Sequence, residues 1–243
     1  MSKLTIAGIG PGDRDNMTIG ADKALREADA IVGYTVYIDL IRSEYPEKEF
    51  ITTPMTKEAE RCRIALELAE KGKDVVMVCS GDSGIYGMAA LVYELRGEAE
   101  TPEICVIPGI TAACSGGALL GAPLTHDFAV ISLSDRLTEW ETIVKRLDHA
   151  AKADLSIVLY NPASKGRPDH LKRACDVLLQ TLPADRPCGI ARAIGREGES
   201  GEILTLGELR DTAVDMFCTV FIGNSMTKVI AGKLVTPRGY RYD

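Results

Sequence analysis

Three glycine-bearing segments hold the residues best suited to gripping a small ligand. They are Gly8-Ile9-Gly10-Pro11-Gly12-Asp13, Cys79-Ser80-Gly81-Asp82-Ser83-Gly84-Ile85-Tyr86-Gly87 and Pro108-Gly109-Ile110-Thr111-Ala112-Ala113, and each follows a short apolar run. Glycine lets the backbone turn sharply and lets a ligand lie against main-chain atoms. The first segment departs from the dinucleotide pattern G-x-G-x-x-G, because Asp13 stands at the third glycine. Pro11 also removes an N–H that a pyrophosphate would use. A purely structural turn is the other reading of that segment. Asp82 offers an acceptor for a sugar hydroxyl or an ammonium group, or else caps a helix start. Taken singly, each segment is a turn and cap. Three such loops off the carboxyl ends of three strands point to one ligand crevice.

Other chemistry is thinly represented. The three histidines are His126, His149 and His170, and none has an i,i+4 partner or a cysteine at ligand spacing, so no metal site is expected. His149 sits in a helical pattern and His170 at a helix start, and both are expected to play ordinary surface roles. The seven cysteines, Cys62, Cys79, Cys105, Cys114, Cys175, Cys188 and Cys218, are irregularly spaced and odd in number. Cys79, Cys105, Cys188 and Cys218 fall in apolar runs and are expected to be buried, reduced core thiols, in keeping with a cytoplasmic protein. The net charge of -7 argues against a general nucleic-acid binder. It leaves room for an anionic small molecule in a local basic pocket. No stretch approaches the roughly 20 apolar residues of a membrane span, and the opening residues lack the apolar core of a signal peptide.

The elements that must position these loops alternate. Strands are expected at residues 4–9, 30–32, 75–78 and 104–107, with helices at 19–28 and 57–71. Thr18 is a plausible N-cap of the first helix and Gly72 a stop for the second. Strand, helix, strand in that order implies a largely parallel sheet. A second series has strands at 128–133 and 155–160 and helices at 138–151 and 169–180. It ends in closely spaced strands at 189–194, 202–206 and 217–222, which need tight antiparallel connections. The fold class is α/β, with an N-terminal domain over residues 1–122 and a C-terminal domain with a mixed sheet over 123–243.

The order of these segments resembles the tetrapyrrole methylase family across essentially the whole chain. The resemblance rests on the strand followed by Gly8-Ile9-Gly10-Pro11-Gly12-Asp13, on the Asp82 and Gly109 loops, and on Ala122-Pro123-Leu124-Thr125-His126-Asp127. Further segments resemble the family members that methylate precorrin-3B or cobalt-precorrin-3 at C-17. These are Val32-Gly33-Tyr34-Thr35-Val36-Tyr37, Ile131-Ser132-Leu133-Ser134-Asp135-Arg136, the run from Leu159 to Arg167, Gly195-Arg196-Glu197-Gly198-Glu199, and Gly223-Asn224-Ser225-Met226-Thr227. One departure is Ser83, where many family members have proline.

The resemblance implies a homodimer with S-adenosylmethionine folded into a crevice between the two domains. It places Gly10, Pro11, Gly81, Asp82, Ile85, Thr111 and Ala112 at the cofactor, with Asn161, Ala191 and Arg192 from the C-terminal side. The tetrapyrrole trough is expected near Tyr34, Thr125, Ser134 and Asp135. Methylation of a nucleophilic pyrrole carbon needs alignment more than activation. The ring contraction expected of this subfamily would use a general acid or base, for which His126, Ser134 and Asp135 are the candidates. Because the substrate carries acetate and propionate groups, Arg136, Lys165, Arg167, Arg192 and Arg196 are candidate carboxylate partners. Position specificity at C-11 or C-20, and a silent nucleotide- or tetrapyrrole-binding module, are the alternative readings.

Overall fold

The computed structural model describes residues 2–241, which divide after residue 111 into two compact units. The first unit contains β1 (Lys3–Gly8), α1 (Ile19–Glu27), β2 (Ala30–Tyr34), α2 (Thr35–Ile41), β3 (Glu49–Thr53), α3 (Glu58–Glu70), β4 (Val75–Cys79), α4 (Ala89–Arg96) and β5 (Glu103–Ile107). Its five strands are all parallel, in the order β3-β2-β4-β1-β5. All five residues of β4 are buried, as expected of a parallel strand covered on both faces. One face packs on Cys62, Ala65, Leu66 and Ala69 of α3, the other on Ala21, Ala24 and Leu25 of α1. Thr18 caps α1 as anticipated, its hydroxyl accepting from the Ala21 N–H at 3.2 Å. In the order β4-β1-β5, three adjacent parallel strands release their loops at one edge of the sheet.

The second unit contains α5 (Ala112–Leu120), β6 (Gly121–Ala122), β7 (Phe128–Ser132), α6 (Trp140–Lys152), β8 (Ser156–Tyr160), α7 (His170–Leu178), β9 (Pro187–Arg192), β10 (Ser200–Thr205), α8 (Leu206–Leu209), β11 (Cys218–Ile222), β12 (Lys228–Ile230) and β13 (Lys233–Val235). Its main sheet has the order β10-β9-β11-β8-β7. Only β7 and β8 run parallel; β8, β11, β9 and β10 pair antiparallel, as the close strand spacing implies. Ile143, Leu147, Ala150 and Ala151 of α6 and Leu171, Ala174, Cys175 and Leu178 of α7 recur at helical spacing and close one face of this sheet.

Helix α5, assigned above to the first domain by sequence pattern, belongs to the second unit. Its small residues allow close approach to that unit's sheet. A Cβ on Gly116 would stand 3.0 Å from the Phe221 ring, and one on Gly189 would stand 2.7 Å from Leu120. The chain then adds a small sheet, β12-β13-β6, that the sequence reading did not anticipate. Its β12–β13 hairpin turns through Ala231 and Gly232, both at positive φ, the conformation a tight two-residue hairpin demands.

Two expectations about burial fail. Cys105 is exposed, because β5 is an edge strand whose outer positions lack cover. Cys79, Cys188 and Cys218 are buried as expected, and burial pushes the Cys79 thiol up to about 11. His170, expected at the surface, is 6% exposed, because the first turn of α7 packs against Trp140 at the start of α6.

Candidate functional site

In the first unit the three glycine loops are knit into one cluster by their own backbones. Gly10 and Gly81 exchange hydrogen bonds, the Gly10 N–H donating to Gly81 O at 3.1 Å and the Gly81 N–H to Gly10 O at 2.7 Å. The Ile9 N–H donates to Cys79 O at 2.9 Å. Gly8, Gly81 and Gly109 stand too close for any side chain. A Cβ on Gly8 would lie 2.6 Å from both Gly109 N and Gly81 O, and one on Gly109 would lie 2.1 Å from Gly81 O. Gly10 and Gly81 also occupy positive φ, +72° and +68°. The glycines are therefore required by contact between loops as well as by turning.

Asp82 completes the cluster. Its Oδ1 accepts from the N–H groups of Gly84 at 2.8 Å and Ile85 at 3.0 Å, and its Oδ2 accepts from the Gly109 N–H at 2.9 Å. The carboxylate thus ties the second loop to the third, a cap across two strands. Ser83, the departure noted above, is buried, and its hydroxyl donates to Ile107 O at 3.0 Å, a second tie that proline could not make. Next to it, Ile85 and Tyr86 are 41% and 54% exposed, with Tyr86 held at φ 55°. The cluster offers a rigid rim of main-chain groups beside an exposed apolar side chain. That composition suits an adenosine-like ligand, with a flat apolar ring and hydroxyls to be met by backbone. Pro11 is buried and Thr111 is 9% exposed, so both contribute from within the rim. Tyr34 lies at the end of β2, its ring edge-on to Tyr37 at 5.1 Å and beneath the buried Arg61 guanidinium at 5.8 Å.

In the second unit the structure brings Ser134, Asp135, Asn161 and Arg167 together at the carboxyl ends of the parallel pair β7 and β8. Asn161 follows β8 at φ 53°, a left-handed position asparagine tolerates, and its amide donates to Ser132 Oγ at 2.9 Å. The Arg167 guanidinium donates to Ser134 Oγ at 2.6 Å and to Ser164 Oγ at 3.1 Å, and reaches Asp135 Oδ1 at 3.5 Å. Asp135 Oδ2 lies 3.0 Å from His170 Nε2, off the line of a good hydrogen bond. His170, and then Arg167, hold the Asp135 carboxyl below its ordinary range. His170 and Ser132 were missed by sequence reasoning. The signal for His170 was faint: it opens an amphipathic helix whose apolar stripe includes its own position.

The remaining candidates are dispersed. Arg192 is engaged, donating to Cys218 Sγ, Glu202 and Ala213 O. Ala191 is fully buried, paired in β9 with β10 and β11 on either side. Arg196 stacks over Phe217 at 5.4 Å. Arg136 and Lys165 are exposed, and Ala112 opens α5, where the next residue's N–H donates to the Tyr160 hydroxyl at 2.7 Å. Thr125 Oγ1 donates to Ala122 O at 3.3 Å. His126 has a buried Nε2 without a hydrogen-bond partner, and no hydrogen bond or ion pair joins it to Ser134 or Asp135. Among the described residues, no helix is long and apolar enough to cross a membrane.

Comparison with known proteins gives concordant matches. The family profile described as Tetrapyrrole (Corrin/Porphyrin) Methylases matches residues 3–210. The probable cobalt-factor III C(17)-methyltransferase of Salmonella typhimurium is 46% identical over 238 residues, covering 98% of this chain and 99% of that protein. The precorrin-3B C(17)-methyltransferase of a Sinorhizobium species is 39% identical over 246 residues, covering 98% and 96%. Among solved structures, the methyltransferase CobJ superposes with a TM-score of 0.90 at 37% identity, covering 98% of this chain and all of that one.

Proposed function

Because the chain belongs to the tetrapyrrole (corrin/porphyrin) methylase family, we propose that it transfers a methyl group from S-adenosylmethionine to C-17 of cobalt-precorrin-3 or precorrin-3B, with the associated ring contraction, in cobalamin biosynthesis. The observation that carries this reading is the 46% identity along 98% of the chain to a relative named for that reaction. The cobalt-containing substrate is favoured over the metal-free one, since the relative named for cobalt-factor III is more similar than the one named for precorrin-3B, 46% against 39%.

The cofactor supplies a sulfonium methyl that is already electrophilic. The chain's residues then have three tasks. Gly10, Pro11, Gly81, Asp82, Ile85, Thr111 and Ala112 hold the adenosyl group, with Asp82 acting chiefly by fixing the loops. Asn161 is the second unit's cofactor candidate with an exposed side chain. Tyr34 and Thr125 orient the macrocycle, and Arg136, Lys165, Arg167 and Arg196 meet its carboxylates. Arg192, already bound to three partners, contributes least. His126, Ser134 and Asp135 remain the candidates for the proton movements of contraction. The protein acts as a homodimer in this reading.

The test is calorimetric titration with S-adenosylhomocysteine, followed by labelled methyl transfer to cobalt-factor III and, separately, precorrin-3B. Micromolar binding and preferential labelling of the cobalt compound are expected. A folded protein that binds no S-adenosylhomocysteine would falsify the methyltransferase reading.

A further inference from the structure

The Asp135 carboxylate stands between two cationic or donor groups and leans towards one of them. His170 Nε2 is 3.0 Å from Oδ2, whereas Arg167 Nη1 is 3.5 Å from Oδ1. A carboxylate free to choose would pair with a guanidinium face to face, through two parallel bonds shorter than 3 Å. Here that fork is not formed. Arg167 is instead held by neutral partners, the hydroxyls of Ser134 and Ser164, and its side chain keeps 22% exposure. Its charge is therefore only partly answered within the chain.

His170 has no other evident use. It is buried, with its ring edge packed on Trp140 at 4.9 Å, and its Nε2, 3.0 Å from Asp135 Oδ2, makes no well-directed hydrogen bond. A buried imidazole nitrogen costs stability unless it meets an acceptor. The group that faces it is the Asp135 carboxylate, on a side chain 32% exposed.

We propose that His170 is a positioning residue: by drawing Asp135 to itself it keeps Asp135 from closing on Arg167, and so leaves the Arg167 guanidinium available for a carboxylate of the substrate. The inference rests on the tetrapyrrole reading of the protein but not on its position specificity. Without His170, Asp135 swings onto Arg167, forms the bidentate pair and quenches the anion site. The serine hydroxyls then serve a second purpose. They fix the direction of the guanidinium without neutralising it.

The experiment is binding of cobalt-factor III followed by its visible absorption, with S-adenosylhomocysteine affinity and thermal midpoint measured on the same samples. His170→Ala is expected to weaken tetrapyrrole binding about tenfold while leaving S-adenosylhomocysteine binding within twofold. Adding Asp135→Asn to His170→Ala should restore tetrapyrrole binding to within about threefold of wild type, since an amide cannot quench Arg167. His170→Gln, which places an amide N–H near the position of Nε2, should bind nearly as wild type and covers the case in which the alanine variant does not fold. A merely structural histidine gives the opposite pattern, with both ligands lost together and no rescue by the second substitution. That result overturns the proposal, as does unchanged tetrapyrrole binding in His170→Ala or a wild type that binds no tetrapyrrole. A wild type that binds cobalt-factor III without methylating it would count against the C-17 reaction alone.

Discussion

The two clusters of this chain are built from different materials. In the first unit, backbone meets backbone: Gly8, Gly81 and Gly109 touch where no Cβ fits, and Asp82 and Ser83 brace the loops from behind. In the second unit, side chain meets side chain: Arg167 donates to Ser134 and Asp135, and the buried His170 ring stands 3.0 Å from the Asp135 carboxylate. A backbone site is rigid and intolerant of added volume, because no rotamer can move aside. A side-chain site can be retuned one group at a time and responds to pH. The first suits a ligand common to a whole family.

The sharpest way to break this comparison is to add one methyl group to each cluster. Gly109→Ala forces a Cβ to 2.1 Å from Gly81 O. It should cost roughly 3 kcal/mol of stability, read as a lower urea midpoint, and abolish measurable S-adenosylhomocysteine binding. If it binds normally, the loops are softer than their contacts imply.

Next comes the brace. Asp82→Ala strips the acceptor from three backbone N–H groups and should cost about 2 kcal/mol, with about a tenfold loss of S-adenosylhomocysteine affinity by calorimetry. Asp82→Asn, which keeps one acceptor oxygen, should lose less than half as much. Equal losses in the two variants would mean that the charge itself, rather than the loop tie, is what the ligand senses.

A smaller effect, confined to the second cluster, is its dependence on pH. Asp135 is held below its ordinary range in the folded protein by His170 and Arg167. Its pairing therefore adds stability that is full above the unfolded pKa of about 3.9 and is lost as pH falls through the lower folded value. The urea midpoints of wild type and Asp135→Asn should differ at pH 6 and converge towards pH 3. A gap that persists at pH 3 would assign the difference to packing instead of charge.

The smallest effect is a control for the first. Gly166, in the loop after β8, has nothing within 4 Å of a Cβ and lies outside the positive-φ region. Gly166→Ala should shift stability by no more than about 0.5 kcal/mol and leave S-adenosylhomocysteine binding unchanged. A large effect there would show that the second cluster, too, depends on backbone clearance.

Much of the architecture was legible in the residues. The strands β1, β4 and β5 announced themselves as apolar runs, and the loops after them as glycine clusters, because both signals are local. The antiparallel close of the second sheet followed from short spacing between apolar runs. The helices α2 and α4 and the strand β3 were not legible, since they are too short, at 7, 8 and 5 residues, to set a period. The β12–β13 hairpin escaped for a related reason: its strands are three residues long, and only Leu234 among them is buried, so no hydrophobic alternation develops.

The sequence by itself determined that three loops would leave one sheet edge, that the chain is α/β, and which polar types would gather beside the second sheet. Each of these follows from periodicity and backbone permissiveness, which act over a few residues. The tertiary structure alone decided that α5 joins the second unit, that Asp82 braces two loops, and that Cys105 is exposed on an edge strand. It alone brought His170 against Asp135. Contacts between residues far apart in the chain depend on strand order and helix packing, and no local pattern encodes which carboxylate will lie 3.0 Å from which imidazole.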